Sequence, residues 1–172
     1  MKKVLLVIDM QNDFVTDALA SAEAQAIVQK VVQKVEEAQK DSETEIFFTK
    51  DTHTPDYMNT NEGKHLPVPH CIRETKGWML IPELEKFQED ATVIEKPTFG
   101  FKDWKKVLPE DTEDITLIGV CTDICVVSNA LILKALYPEV DVHVDTACCA
   151  GVTPAAHLAA IETMKSCQVD CC

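Results

Sequence analysis

Five short runs of apolar and β-branched residues punctuate the chain: Val4 to Ile8, Glu45 to Thr49, Ala91 to Ile94, Ile115 to Val120 and Val140 to Val144. A strand covered on both sides reads this way, apolar on both faces and too short for a helix. Helical patterns lie between the runs. Ala20 to Gln39 places Ala26, Ile27, Val31, Val35 and Ala38 on one face and charges on the other. Thr122 to Leu136 is apolar almost all round and predicts a buried helix. Pro154 to Lys165 follows Thr153, a good N-cap, with Pro154 at the first helical position. Cys167 to Cys171 predicts a short edge strand. Strands that alternate with helices imply an α/β, three-layer, doubly wound fold: a mostly parallel sheet of five to six strands with helices on both faces.

The 172 residues suit one domain, 1–172, with no repeat and no linker. Lysine and arginine number 16 against 29 aspartates and glutamates, a net charge of −13. That field repels phosphate backbones and anionic lipid, so neither nucleic acid nor membrane is an expected partner. No stretch approaches the roughly 18 apolar residues of a membrane span. Lys2-Lys3 and the five apolar residues after them end at Asp9, too short for a signal peptide, so the expected location is cytoplasmic. Most of the eight cysteines lie in apolar runs, where a reduced thiol acts as a small hydrophobe. One segment breaks the regularity. Asp51 to Pro82 carries four prolines, two glycines and three of the five histidines, and reads as a long functional loop.

Sites in open parallel sheets form at the carboxyl ends of strands. Asp9 follows the first run, Asp51 and His53 the second, Lys96 the third, Thr122, Asp123 and Cys125 the fourth, and Asp145 the fifth. An acid (Asp9), a cation (Lys96) and a thiol (Cys125) converging on one sheet edge suit covalent catalysis, with Cys125 the candidate nucleophile. Cys125 falls in the first turn of a predicted helix, where the dipole favours thiolate. A structural Asp9–Lys96 ion pair is the alternative. A second group, Asp51, His53, Glu62 and His70, suits one divalent metal ion: zinc, manganese or iron. His65 is a rival ligand, while His143 in a strand and His157 on a helix read as structural.

Five stretches carry a family resemblance. Val7-Ile8-Asp9-Met10-Gln11-Asn12-Asp13-Phe14 and Gly119-Val120-Cys121-Thr122-Asp123-Ile124-Cys125-Val126 resemble the opening and the nucleophile segment of the nicotinamidase/isochorismatase superfamily of cysteine hydrolases. Phe48-Thr49-Lys50-Asp51-Thr52-His53 and Leu66-Pro67-Val68-Pro69-His70-Cys71-Ile72 resemble the metal segment of its nicotinamidase branch, and Glu95-Lys96-Pro97 its lysine segment.

The resemblance implies an isochorismatase-like, Rossmann-like fold and a triad of Asp9, Lys96 and Cys125. It implies a cis Val120–Cys121 peptide and an oxyanion hole from the Cys121 and Cys125 amides. It makes Asp51, His53, Glu62 and His70 the ligands of a divalent ion, most often zinc in similar enzymes. The implied activity is hydrolysis of the carboxamide of nicotinamide, and of pyrazinamide, to acid and ammonia through a thioester. The implied partners are a small amide substrate and further copies of the chain in a homo-oligomer. Phe14 is expected against the substrate ring. Family members often carry an aromatic residue just before the third ligand position; Leu66 stands in that region here, leaving Trp78 or Phe101 to complete the wall. Phe14, Leu66 and Phe101 are thus the expected substrate contacts. The alternatives are a different small amide, an isochorismate-like vinyl ether, or a non-enzymatic zinc or thiol-redox protein that binds metal through cysteines.

Overall fold

The computed structural model describes residues 2–172. Six parallel strands form one sheet: β1 (Lys2–Ile8), β2 (Thr44–Asp51), β3 (Thr92–Lys96), β4 (Thr112–Val120), β5 (Asp141–Ala150) and β6 (Asp170–Cys171). Their spatial order is β3-β2-β1-β4-β5-β6. The chain winds outward from β1 through β2 to β3, then returns to the other side of β1 and winds outward again. The strand order therefore reverses between β1 and β4, the place where such sheets bind ligands. The family-independent expectation of a parallel α/β sheet with helices on both faces agrees with this architecture.

Alternate residues of each strand feed two cores. Leu5 and Val7 of β1 join Phe48, Ile118 and Ala150 beneath α1 (Ala22–Lys40), which contributes Ile27, Val31 and Val35. Val4, Leu6 and Ile8 face the other way, toward α2 (Val127–Leu136) and α3 (Pro154–Ser166), through Ala130, Leu133, Ile161 and Met164. The period of two along each strand is what divides these sets. Ser21 caps α1 by accepting from Ala24 N (3.0 Å), and Thr153 caps α3 by accepting from Ala156 N (3.1 Å). Gly119 adopts a φ of +115°, and a Cβ there would run into the Ile8 carbonyl. Only glycine lets β4 pass this close to the end of β1, where Asp9 departs.

Four sequence expectations need correction. β5 runs on to Ala150 rather than ending at Val144, because its ladder with β4 resumes after a shift, pairing Gly119 with Cys149 and Val120 with Ala150. Asp145 therefore lies inside β5, away from the strand ends, and pairs with Lys34 of α1 at 2.9 Å. The helix expected from Thr122 opens as a five-residue π turn, Thr122–Val126, and becomes α-helical only at Val127. The loop from Asp51 to Pro82 contains helical turns at Tyr57–Asn59 and Asn61–His65. It is also pinned back on itself: His53 N donates to Cys71 O and Arg73 N donates to His53 O, both at 2.9 Å. Among the described residues no helix is long and apolar enough to cross a membrane.

Candidate active site

Asp9, Asp51, Lys96 and the turn bearing Cys125 emerge from the carboxyl ends of β1, β2, β3 and β4, and the winding brings all four to one edge. Asp9 leaves β1 at a φ of +49°, a conformation that turns its carboxylate across the sheet end. Thr49 Oγ1 donates to Asp9 Oδ1 at 2.6 Å, while Asp9 N donates to Thr49 Oγ1 at 3.1 Å. The other oxygen, Oδ2, faces Lys96 Nζ at 2.6 Å. Lys96 Nζ stands 3.5 Å from Cys125 Sγ and donates to Thr98 O at 3.1 Å. Both members of the ion pair are fully buried, and each would be costly there alone. The Val120–Cys121 peptide is cis.

Burial shapes the protonation of this group. It lifts the Asp9 carboxyl above the ordinary range; Lys96 pulls it back and the Asp51 charge adds to the rise. Burial works against the Lys96 ammonium, but Asp9, Cys125 and Asp51 outweigh it and hold the proton firmly. The Cys125 thiol is driven well above its usual value by burial and by the Asp9 charge, with Lys96 opposing. Desolvation thus works against the thiolate that a helix start favours.

Beside the triad, four side chains converge. Asp51 Oδ2 lies 2.9 Å from His53 Nε2 and 3.4 Å from His70 Nε2. Glu62 Oε1 lies 3.5 Å from His53 Nε2 and 3.6 Å from His70 Nε2. Donors that share one ion at about 2.1 Å stand roughly 3–3.5 Å from one another, so this set fits a single divalent cation. Two imidazoles and two carboxylates are a borderline-hard donor set suited to zinc, manganese or iron. Asp51 Oδ1 accepts no hydrogen bond and faces the Lys96 ammonium at 3.7 Å, which leaves Oδ2 turned toward the two histidines. Hydrogen bonds from the two histidines and the charge of Lys96 override burial and keep the Asp51 carboxyl well below the usual range. Burial raises Glu62.

The supports were only partly visible in the sequence. Gln11 grips the backbone of Asp51 from both sides, its Oε1 accepting from Asp51 N (2.8 Å) and its Nε2 donating to Asp51 O (2.9 Å). Tyr57, fully buried, places its ring 4.8 Å from that of His53 and 5.0 Å from that of His70. Nothing in the spacing marks this tyrosine. His65 is not in the cluster; its Nδ1 meets Asn61 O at 2.9 Å on the surface. His143 faces Asp114 and Asp170 at the far end of the sheet.

Both groups open into a cavity of about 340 Å³ bordered by Phe14, Leu66, Phe99, Ile124, Val152 and Cys125. Phe14 lies edge-on to His70, ring centroids 5.5 Å apart, and Leu66 stands at the mouth. Phe101 is the exception among the expected contacts. Its ring packs on Trp104 at 5.0 Å, outside the cavity, and Phe99 takes the wall instead. Asn129 decides which phenylalanine faces in. Its Oδ1 accepts from Phe101 N (2.9 Å) and Trp104 Nε1 (3.0 Å), and its Nδ2 donates to Phe99 O (3.1 Å) and Cys125 O (2.8 Å). Trp78 is also elsewhere, donating to Thr52 Oγ1 beneath the Lys50 ammonium.

A family model described as the isochorismatase domain matches residues 3–172. Among solved structures, a nicotinamidase/pyrazinamidase from Bacillus subtilis is 26% identical, with a TM-score of 0.86 and 99% of each chain covered. A pyrazinamidase from Pyrococcus horikoshii, solved in complex with zinc, is 27% identical with a TM-score of 0.84, covering 100% of this chain and 99% of that one. A pyrazinamidase/nicotinamidase from Streptococcus mutans is 26% identical with a TM-score of 0.85, covering 99% of this chain and all of that one. A search of curated proteins finds no match.

Proposed function

Because the chain belongs to the isochorismatase family of hydrolases, we propose that it is an amidohydrolase that converts nicotinamide, and pyrazinamide, to the corresponding acid and ammonia through a thioester on Cys125. The observation that carries this reading is one small cavity lined both by Cys125, backed by the Asp9–Lys96 pair, and by Asp51, Glu62 and His70 of the histidine–carboxylate cluster. At about 340 Å³ the cavity lies near the lower end of the ligand-pocket range, the size for a single-ring molecule. Asp51, His53, Glu62 and His70 are the residues to hold a divalent ion, zinc first among the candidates, as in the Pyrococcus horikoshii relative. Such an ion supplies a Lewis acid to anchor the ring nitrogen and to make bound water more acidic.

The protein's own groups carry the chemistry as follows. Asp9, ionised beside Lys96, takes the Cys125 proton as Sγ attacks the carboxamide carbon. Its raised proton affinity makes it a stronger base than an exposed aspartate. Lys96 keeps its proton and stabilises the thiolate as it forms. The Cys121 and Cys125 amides receive the oxyanion, with each such donor contributing about 3 kcal/mol. Asp9 hands the proton to the leaving nitrogen, the C–N bond breaks and ammonia departs. Water then gives a proton to Asp9 and attacks the thioester, the C–S bond breaks, and the acid leaves as Cys125 regains its proton.

Purified protein should release ammonia from nicotinamide, and both Cys125→Ala and thorough chelation should stop it. Release that survives Cys125→Ala refutes the nucleophile. A second reading, another small neutral amide, is favoured by Leu66 and Phe99 standing as the apolar mouth of the cavity. Turnover of another amide with nicotinamide inert would select it. A vinyl-ether substrate bearing two carboxylates is disfavoured, since none of the described cavity-lining residues is lysine or arginine.

A further inference from the structure

We propose that His157 is a positioning residue for the nucleophile turn, acting through Thr122; the inference rests on the reading of Cys125 as nucleophile. Thr122 and Asp123 lie between Cys121 and Cys125, the residues assigned to the oxyanion hole. Neither side chain lines the cavity. Thr122 reaches the first turn of α3, and Asp123 the segment that joins β5 to α3. Thr122 Oγ1 and His157 Nδ1 stand 2.8 Å apart, a hydrogen bond in either tautomer because a hydroxyl both donates and accepts. Asp123 Oδ1 accepts from Val152 N at 2.9 Å.

The fit between the two segments has no slack. A Cβ on Gly151 would stand 2.9 Å from Asp123 Oδ1 and 2.9 Å from both the backbone N and the Cβ of His157. Thr122 is fully buried, so loss of its partner leaves a hydroxyl to be re-paired only by moving the turn. His157 itself is half-buried beside a separate cavity of about 230 Å³ and is not core filling. Donors aimed at a developing charge tolerate little displacement, and about 1 Å of misplacement can cost on the order of a hundred-fold in rate.

The test uses two readouts on the whole protein. The first is the alkylation rate of Cys125 by iodoacetamide, followed by peptide mass mapping with Cys149 as an internal reference; it needs no substrate. The second is nicotinamide turnover. His157→Ala should slow both about ten-fold, with KM within about two-fold, a loss short of full donor removal. His157→Asn keeps an amide near the Nδ1 position and should recover most of both rates. Thr122→Val should match His157→Ala, and the double variant should be no worse than either. Wild-type alkylation in His157→Ala, no recovery in His157→Asn, additive losses, or unfolding of His157→Ala at the assay temperature would each overturn the proposal. If the wild-type protein leaves nicotinamide untouched, the substrate reading fails, and the alkylation series alone decides the role of His157.

Discussion

A thiol buried beside a carboxylate is inert until that carboxylate accepts its proton, and this sets the pH behaviour expected of Cys125. Asp9 must be ionised to act as base, so activity is present above its pKa and lost as pH falls through it. Burial raises that pKa, so the acid limb of kcat/KM should lie above the exposed-aspartate value of about 3.9. Asp9→Asn should lose activity by at least about a hundred-fold across the whole range, a scale typical of a general base. A profile whose acid limb sits at or below the exposed value would contradict the assignment. The meeting of Asp9 and Lys96 was legible in the sequence because charged side chains at the ends of buried apolar runs have few structural excuses. Phe99 was not. Two phenylalanines flank Gly100, and which one faces the cavity depends on Asn129, thirty residues away in sequence from Phe99. Asn129→Leu should cost about 2–4 kcal/mol in denaturant unfolding, since four bonded groups lose their partner together.

At the scale of elements, the apolar runs located the strands because periodicity reports burial, while their ends depended on contacts that no local pattern carries. β5 is the case in point. Asp145 and Thr146 look like a terminus, yet Thr146 N and Oγ1 both donate to Cys172 O, and Asp145 is taken up by Lys34 of α1. The partner that makes an acid tolerable inside a strand lies more than a hundred residues earlier. This pair also has a pH signature. The hydrogen bond to Asp145 raises the Lys34 pKa, so its stabilisation is full below the unfolded lysine value, near 10.4, and is lost as pH rises through the higher folded value. Solvent screening limits the pair to about 0.5 kcal/mol. Asp145→Asn should show that deficit in urea melts at pH 7 and none at strongly alkaline pH; an equal deficit at both would mean the pair acts by packing alone.

For the whole molecule, the two-histidine, two-carboxylate cluster joins the end of β2 to the long loop through Glu62 and His70. An ion bound to the folded chain and not to the unfolded one stabilises by mass action, about 2.7 kcal/mol at a hundred times Kd. For a chain of this size that is about 5–10 °C in Tm. Adding zinc to chelated protein should raise the melting temperature by this amount, and His53→Ala or His70→Ala should erase the shift; a shift retained in both variants would place the ion elsewhere. The fold class was readable because strands alternated with helices. The loop's shape was not, since its anchors are a strand end, a carboxylate at Asp13 and a glutamine at position 11, all remote in sequence.

The order in which the strands are written into the chain has a further consequence for how the molecule comes into being. Synthesis proceeds from the amino end, and everything up to residue 120 already holds the acid, the cation and all four residues of the histidine–carboxylate cluster. Cys125 and His157 follow β4, which pairs with β1 in the middle of the sheet. The acid and the cation are thus written into the chain before the thiol they face, and the three meet only where β4 lies against β1.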